Sequence, residues 1–210
     1  MTKPITEVFA TSIYYLPISN KKGDSSLINK DILDEVETLK RVDDDGKKWS
    51  KTNYKGGYTS YGSLDQLHRM SSTFMDLETK IRKHVKKFAK TLEYDLMGGE
   101  LIMTDCWVNA LEKKGTHSAH IHPLSVISGT YYVKTPKNCA PIKFEDPRYG
   151  LFMAAPPKKN DAKLKNKQHV SYAPIAGNIV LFESWLRHEV AAHLGDEERV
   201  SVSFNYGWVR

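Results

Sequence analysis

A chain of 210 residues, 40% hydrophobic and 27% charged, has the make-up of one folded domain with a sizeable interior. Its net charge of +6 comes mainly from dispersed lysines, and with no Arg-rich stripe it reads as solubility and argues against a nucleic-acid partner. No apolar run is long enough to span a bilayer, the first residues lack the basic-then-apolar order of a signal peptide, and the two cysteines, Cys106 and Cys139, match no metal or redox spacing. A reduced, cytoplasmic setting is the expectation.

Residues 7–18 are β-branched and aromatic and read as an opening strand. After a polar turn at residues 20–26, Ile32, Leu33, Val36 and Leu39 recur at helical spacing, which predicts a short amphipathic helix with Asn29 as its N-cap. Residues 43–62 read as a long loop carrying Trp49, Tyr54, Tyr58 and Tyr61. Such a loop either packs on its own aromatic side chains at the surface or walls an active site. Ser63 with Gln66 resembles a capping box. It opens a second helix on which Leu67, Met70, Phe74, Leu77, Ile81, Val85, Phe88 and Leu92 alternate spacings of three and four, up to about residue 93. Lys80, Arg82, Lys83, Lys86 and Lys87 lie opposite, as on a long helix laid against a sheet with a solvated basic face.

From residue 100 the texture changes to short β-rich segments at 100–112, 118–121, 126–134, 141–144, 151–154, 169–173, 178–182, 188–192 and 199–209, separated by Gly, Pro, Asn or Asp. The Lys-rich piece 156–167 reads as a mobile loop between two of them. Helices first and strands after predict an α+β chain with a jelly-roll catalytic half. The expected organisation is a single domain, with residues 1–98 a strand and helical layer and residues 99–210 the jelly roll.

Three of the eight histidines fall between Gly115 and Val133, and two of them, His120 and His122, are two residues apart. On a strand that spacing aims both rings at one point. His188, far along the chain, can complete a set of three, because strands remote in sequence lie side by side in a jelly roll. Three protein ligands on one face, with the other positions open, is what a non-haem iron oxygenase needs. Arg199 and Ser201 share a strand face just after His188. A guanidinium fork beside a hydroxyl suits the far carboxylate of a dicarboxylate that chelates the metal at its other end.

These residues resemble the Fe(II)/2-oxoglutarate-dependent dioxygenase superfamily, in which a double-stranded β-helix carries HxD/E, a distal His and an Arg-x-Ser. Over about residues 100–207 the chain is more closely similar to a group of 2OG-Fe(II) oxygenases of bacteria and their phages. The matching blocks are Trp107-Val-Asn109, His120-Ile-His122-Pro123, Ser128-Gly129-Thr130-Tyr131-Tyr132-Val133 and Asp146-Pro147-Arg148. They continue with Pro174-Ile-Ala-Gly177, Leu181 through His188, and Arg199 through Asn205. The resemblance implies Fe(II) on His120, His122 and His188, and 2-oxoglutarate held by Arg199 and Ser201, with Asn109 and Tyr132 lining its pocket. It also implies dioxygen as co-substrate, release of succinate and CO2, and hydroxylation of an unidentified protein side chain or small molecule.

The chain departs from the superfamily at His122, where the second ligand is usually a carboxylate. Either three histidines hold the metal, or His122 stands behind and Asp146 or Glu145 approaches; the strand geometry favours three histidines. His117 lies off the pair's face by parity and is left out, and Trp107 and Trp185 read as core. A cupin-type metalloenzyme that uses no 2-oxoglutarate is the first alternative, although the Glu expected after a cupin HxH is missing from residues 123–127. A jelly-roll binding module with structural histidines is the second. The sequence leaves the oligomeric state open, with a homodimer compatible.

Overall fold

The computed structural model describes residues 5–19 and 24–210, so the turn read at residues 20–26 lies largely outside the described residues. Two antiparallel sheets carry the chain. In the larger the order is β1 (Ile13–Pro17), β8 (Asn178–Glu183), β5 (Ile127–Lys134), β10 (Arg199–Val209), β3 (Glu100–Leu111) and β2 (Gly57–Thr59). In the smaller it is β4 (His117–His120), β9 (His188–Val190), β6 (Ile142–Glu145) and β7 (His169–Tyr172). This is the expected α+β architecture of two sheets with N-terminal helices. The early strands β1 and β2 are built into the larger sheet, pairing with β8 and β3.

Alternation along the central strands separates core from chamber. Cys106, Val108 and Ala110 on β3, Tyr131 and Val133 on β5, and Val200, Val202 and Phe204 on β10 form one apolar face. That face is covered by α1 (Asp24–Val42) through Ile32 and Val36, and by α4 (Ser72–Thr91) through Phe74, Leu77, Ile81, Val85 and Phe88. Burial of each such side chain contributes about 1.5–3 kcal/mol, so docking on the sheet, more than intrinsic propensity, holds α4. The intervening residues Trp107, Asn109, Thr130, Arg199, Ser201 and Ser203 face the smaller sheet and line a chamber. This face is largely polar around the chamber, and beside it Tyr132, Val180 and Phe182 pack with Ile142, Phe144 and Leu186 as a second apolar cluster.

Several predicted boundaries change. The first helix spans Asp24–Val42, and Asn29 is inside it rather than at its cap. Its side chain bonds across to the sheet, donating to the Val133 carbonyl and accepting from Tyr131 Oη. The second helix breaks at Ser71, giving α3 (Leu67–Met70) and then α4, whose N-cap is Ser71. The break leaves Met70 exposed, and Ser63 turns to Asp43 instead of capping a helix. Residues 151–154 form no strand, and Leu151 closes a 3-10 turn at Tyr149–Leu151.

The largest correction concerns residues 43–62, which contain α2 (Asp44–Asn53) and β2. Asp43 caps α2 by accepting from Gly46 N–H at 2.9 Å, and it also accepts from Tyr58 Oη at 2.7 Å and Ser63 Oγ at 2.6 Å. Gly46 permits this close turn, since a Cβ there would stand 2.0 Å from Asp43 Oδ2. Burial alone would raise the Asp43 pKa, but the Ser63, Tyr58 and Gly46 donors outweigh it and hold the carboxyl below its ordinary value. A carboxyl with a depressed folded pKa contributes stability above its unfolded pKa, and that stability is lost as pH falls through the folded value. Asp43→Ala is therefore expected to cost about 2–4 kcal/mol near neutral pH, through a lost cap, an orphaned Tyr58 hydroxyl and a Ser63 hydroxyl left with its 3.3 Å bond to the Ser60 carbonyl. The difference should shrink below about pH 4, as read from urea unfolding of both proteins at the two pH values. An equal cost at both would contradict the role of the charge.

Candidate metal centre

His120 and His188 are direct cross-strand partners on β4 and β9, which is how the distant histidine reaches the near pair. His122 lies just past the end of β4, tied down by its N–H to the Ser184 carbonyl at 2.9 Å. The candidate ligand atoms of His120, His122 and His188 all lie within 4.8 Å of one another. Phe182 and Phe144 pack on the His188 ring at centroid distances of 4.5 and 5.8 Å and keep that side of the centre apolar.

Each ring has its lone pair set by a partner at Nδ1. His120 Nδ1 is 2.7 Å from the Ser118 carbonyl and His188 Nδ1 is 2.9 Å from the Leu186 carbonyl. A carbonyl only accepts, so both Nδ1 atoms carry the proton and both Nε2 atoms are free to coordinate. His122 Nδ1 meets Asn205 Oδ1 at 2.6 Å, and its Nε2 is buried without a hydrogen-bond partner. Burial lowers all three pKa values, to about 2 for His188 and about 4 for His122, so the rings are neutral near pH 7 without metal. Three neutral imidazoles converging on one point, one with an orphaned nitrogen, fit a divalent transition metal. The donor set admits Fe(II) along with zinc, copper and nickel.

At the other end of the chamber Arg199 is 4% exposed and has no carboxylate partner among the described residues. Its Nη1 reaches Ser201 Oγ at 3.3 Å, its Nε has no partner, and the Tyr132 ring lies 5.3 Å from its Cζ. Asn109 lines the side wall, held by Thr59 Oγ1 at 2.9 Å and Ser203 Oγ at 3.0 Å. Burial pushes the Tyr132 and Tyr54 hydroxyls up to about 12 despite the opposing arginine, so both remain neutral donors. The chamber thus pairs a candidate metal seat with a buried cation.

Two residues that the sequence reading set aside, His117 and Trp107, line the chamber, while the carboxylates it held as an alternative do not. Glu145 and Asp146 do not approach the triad: Glu145 faces Arg187 and His169 at 3.7 and 3.8 Å, and Asp146 is bound by Arg148 at 2.8 Å. His117 does line the chamber, stacked on His120 at 4.3 Å, because a register shift between the two residues breaks the strand's parity. Trp107 also lines it, 6.0 Å from His122, while Trp185 is 47% exposed and belongs to neither core nor chamber. Tyr54, from the segment read as a loop, stands against His117 at 5.5 Å. The aromatic content of that segment was the only sequence signal for it.

Residues 105–205 match the model of a family described as "Putative 2OG-Fe(II) oxygenase". No curated protein matches the sequence. Among solved structures, the fold aligns with the epimerase SnoN in complex with Fe3+, alpha ketoglutarate and nogalamycin RO, at 14% identity over 94% of this chain and 79% of that one, with TM-score 0.61. It aligns equally with a Pseudomonas putida prolyl-4-hydroxylase, at 12% identity over 94% and 92%, with TM-score 0.60. The chain spans 54% of an oxidoreductase of the 2OG-Fe(II) oxygenase family from Burkholderia pseudomallei, at 14% identity, 67% coverage of this chain and TM-score 0.44. At these identities the first two alignments establish a shared double-stranded β-helix fold.

Proposed function

We propose, from the match of residues 105–205 to that family model, that the protein is an Fe(II)- and 2-oxoglutarate-dependent dioxygenase that hydroxylates a substrate yet to be identified. The observation that carries the reading is a buried Arg199, without a carboxylate partner among the described residues, in the same chamber as three converging imidazoles. A buried unpaired cation costs stability, so it asks for an anion that arrives with function. The metal and cosubstrate, when bound with dioxygen, supply the chemistry: 2-oxoglutarate is oxidatively decarboxylated to succinate and CO2 while one oxygen atom enters the substrate.

The chain's own residues then have separate tasks. His120, His122 and His188 would hold the ion through Nε2. Arg199 would present its fork to the far carboxylate, with the Ser201 hydroxyl beside it. The Tyr132 hydroxyl, buried at this end, is placed to donate to the same group, and Asn109 shapes the side wall. Phe144 and Phe182 exclude water behind His188. A non-catalytic module would have no use for three desolvated imidazoles, and a metalloenzyme without a dicarboxylate would leave Arg199 unmatched. Hydroxylation is the proposed outcome because it requires no second hydrogen donor from the protein. Cys106 and Cys139, both free thiols, suit the cytoplasm, and no helix among the described residues is long and apolar enough to cross a membrane.

The experiment is anaerobic titration of the metal-free protein with Fe(II) and then 2-oxoglutarate. A weak visible charge-transfer band is expected only when both are present.

A further inference from the structure

The proposed ligand set lacks an anion. With a divalent ion, Arg199 and a bound dicarboxylate, three neutral imidazoles leave one positive charge in excess, where a ligating carboxylate would bring balance. A carboxylate does stand one layer behind. Asp105 on β3 and Asn205 on β10 are direct cross-strand partners beside the register shift between Asn205 and Tyr206. Asn205 Nδ2 donates to Asp105 Oδ2 at 3.2 Å. Asn205 Oδ1 takes the contact from His122 Nδ1 at 2.6 Å and a further bond from Ser128 Oγ at 2.8 Å. Asp105 Oδ2 is itself fixed by Thr104 Oγ1 at 2.6 Å, and Asn205 and Ser128 are buried.

The direction of this chain of bonds follows from chemistry. A carboxylate accepts and does not donate, so the NH2 of Asn205 must face Asp105 and its oxygen must face His122. His122 Nδ1 is then the donor, which leaves the Nε2 lone pair free, and that is the atom found buried without a partner. With the amide turned over, its NH2 would donate to Nδ1, the ring proton would move to Nε2, and that position would be closed to a metal. Backbone carbonyls perform this task for His120 and His188. His122, beyond the end of its strand, depends on side chains for it.

We infer that Asp105 and Asn205 are positioning residues that fix the tautomer of His122 and place, two hydrogen bonds behind the metal, the negative charge that the three-histidine set lacks. The inference rests on His122 being a ligand in the proposed function. Partners of this kind affect metal affinity about 10–100-fold.

Two measurements test it on the full chain. In metal-free protein, nitrogen NMR of the histidine side chains is expected to find His122 with its proton on Nδ1 in wild type. In Asp105→Asn, where the amide of Asn205 can turn over, a mixture of tautomers is expected. In Co(II) calorimetry Asp105→Asn is expected to bind about 10–100-fold more weakly than wild type. Adding Asn205→Asp to it puts an acceptor-only group directly on Nδ1, and both the single tautomer and the affinity should return, a rescue that a merely structural role would not give. Asn205→Ser, whose hydroxyl can donate or accept, is the second variant should Asp105→Asn not fold, and it too should give mixed tautomers. A pure Nδ1–H form in whichever variant folds, or Co(II) affinity within about twofold of wild type, overturns the inference. Absence of Co(II) binding in wild type would overturn the ligand role of His122 instead, and the tautomer measurement would still decide the part played by Asp105.

Discussion

His188→Ala is expected to abolish tight metal binding and with it all 2-oxoglutarate turnover. His188 is buried, is the cross-strand partner of His120, and is the ligand candidate that reaches the centre from outside the 120–122 segment. Without it two imidazoles remain, and His122 is anchored by loop contacts rather than by strand pairing. The loss should exceed the roughly 10–100-fold that partners behind the ligands are worth. Folding should survive, because the ring sits at the chamber side of the sheet and not in the core under α1 and α4; the expected cost is about 1–3 kcal/mol. Calorimetry with Fe(II) under anaerobic conditions, beside a thermal melt, checks both halves. A well-folded variant that still binds iron as tightly as wild type would remove His188 from the ligand set.

The second large effect is expected at Arg199. Arg199→Met should weaken 2-oxoglutarate binding by about 100-fold or more, the equivalent of about 3 kcal/mol from two charge-assisted hydrogen bonds, while iron binding stays close to wild type. The same substitution should leave the ligand-free protein at least as stable as before. Its guanidinium is buried, has no carboxylate partner among the described residues and leaves Nε unsatisfied, and replacing an unpaired buried charge by an apolar side chain of similar length is neutral or stabilising. Arg199→Lys should not restore affinity, since one ammonium cannot match a carboxylate with a planar fork. Binding isotherms for 2-oxoglutarate and melts without ligand give the two readings. Parent-like affinity, or a large loss of stability without ligand, would mean that Arg199 serves the fold.

Much of this site was legible because β10 obeys a strict period of two. Arg199, Ser201, Ser203 and Asn205 alternate with Val200, Val202 and Phe204, and the structure puts the first three toward the chamber, Asn205 behind His122, and the apolar set under the helices. His120 and His188 were legible as members of neighbouring strands, whereas His122 lies past the end of β4 and is held by its bond to the Ser184 carbonyl, outside any strand period. Where the period fails, so did the reading. The register shift between His117 and His120 restores His117 to the chamber although parity excludes it. The helix at Asp44–Asn53 was hidden because its cap lies in a run of aspartates with a glycine in the first turn, features that locally resemble a loop. Tyr54 and Asp105 reach the site through pairings set by tertiary contacts, which no local pattern encodes. Asp105 is joined to His122 through its cross-strand pairing with Asn205 and the side-chain bonds of that residue.

The anaerobic titration bears most directly on the central claim that three neutral imidazoles and one buried arginine form a 2-oxoglutarate-binding iron centre. Fe(II) alone should give no visible band, and 2-oxoglutarate added after it should raise one that saturates at a single equivalent of each, absent in His188→Ala. Iron binding with no band at saturating 2-oxoglutarate would contradict the cosubstrate assignment, and failure of the wild-type protein to bind iron at all would contradict the centre itself.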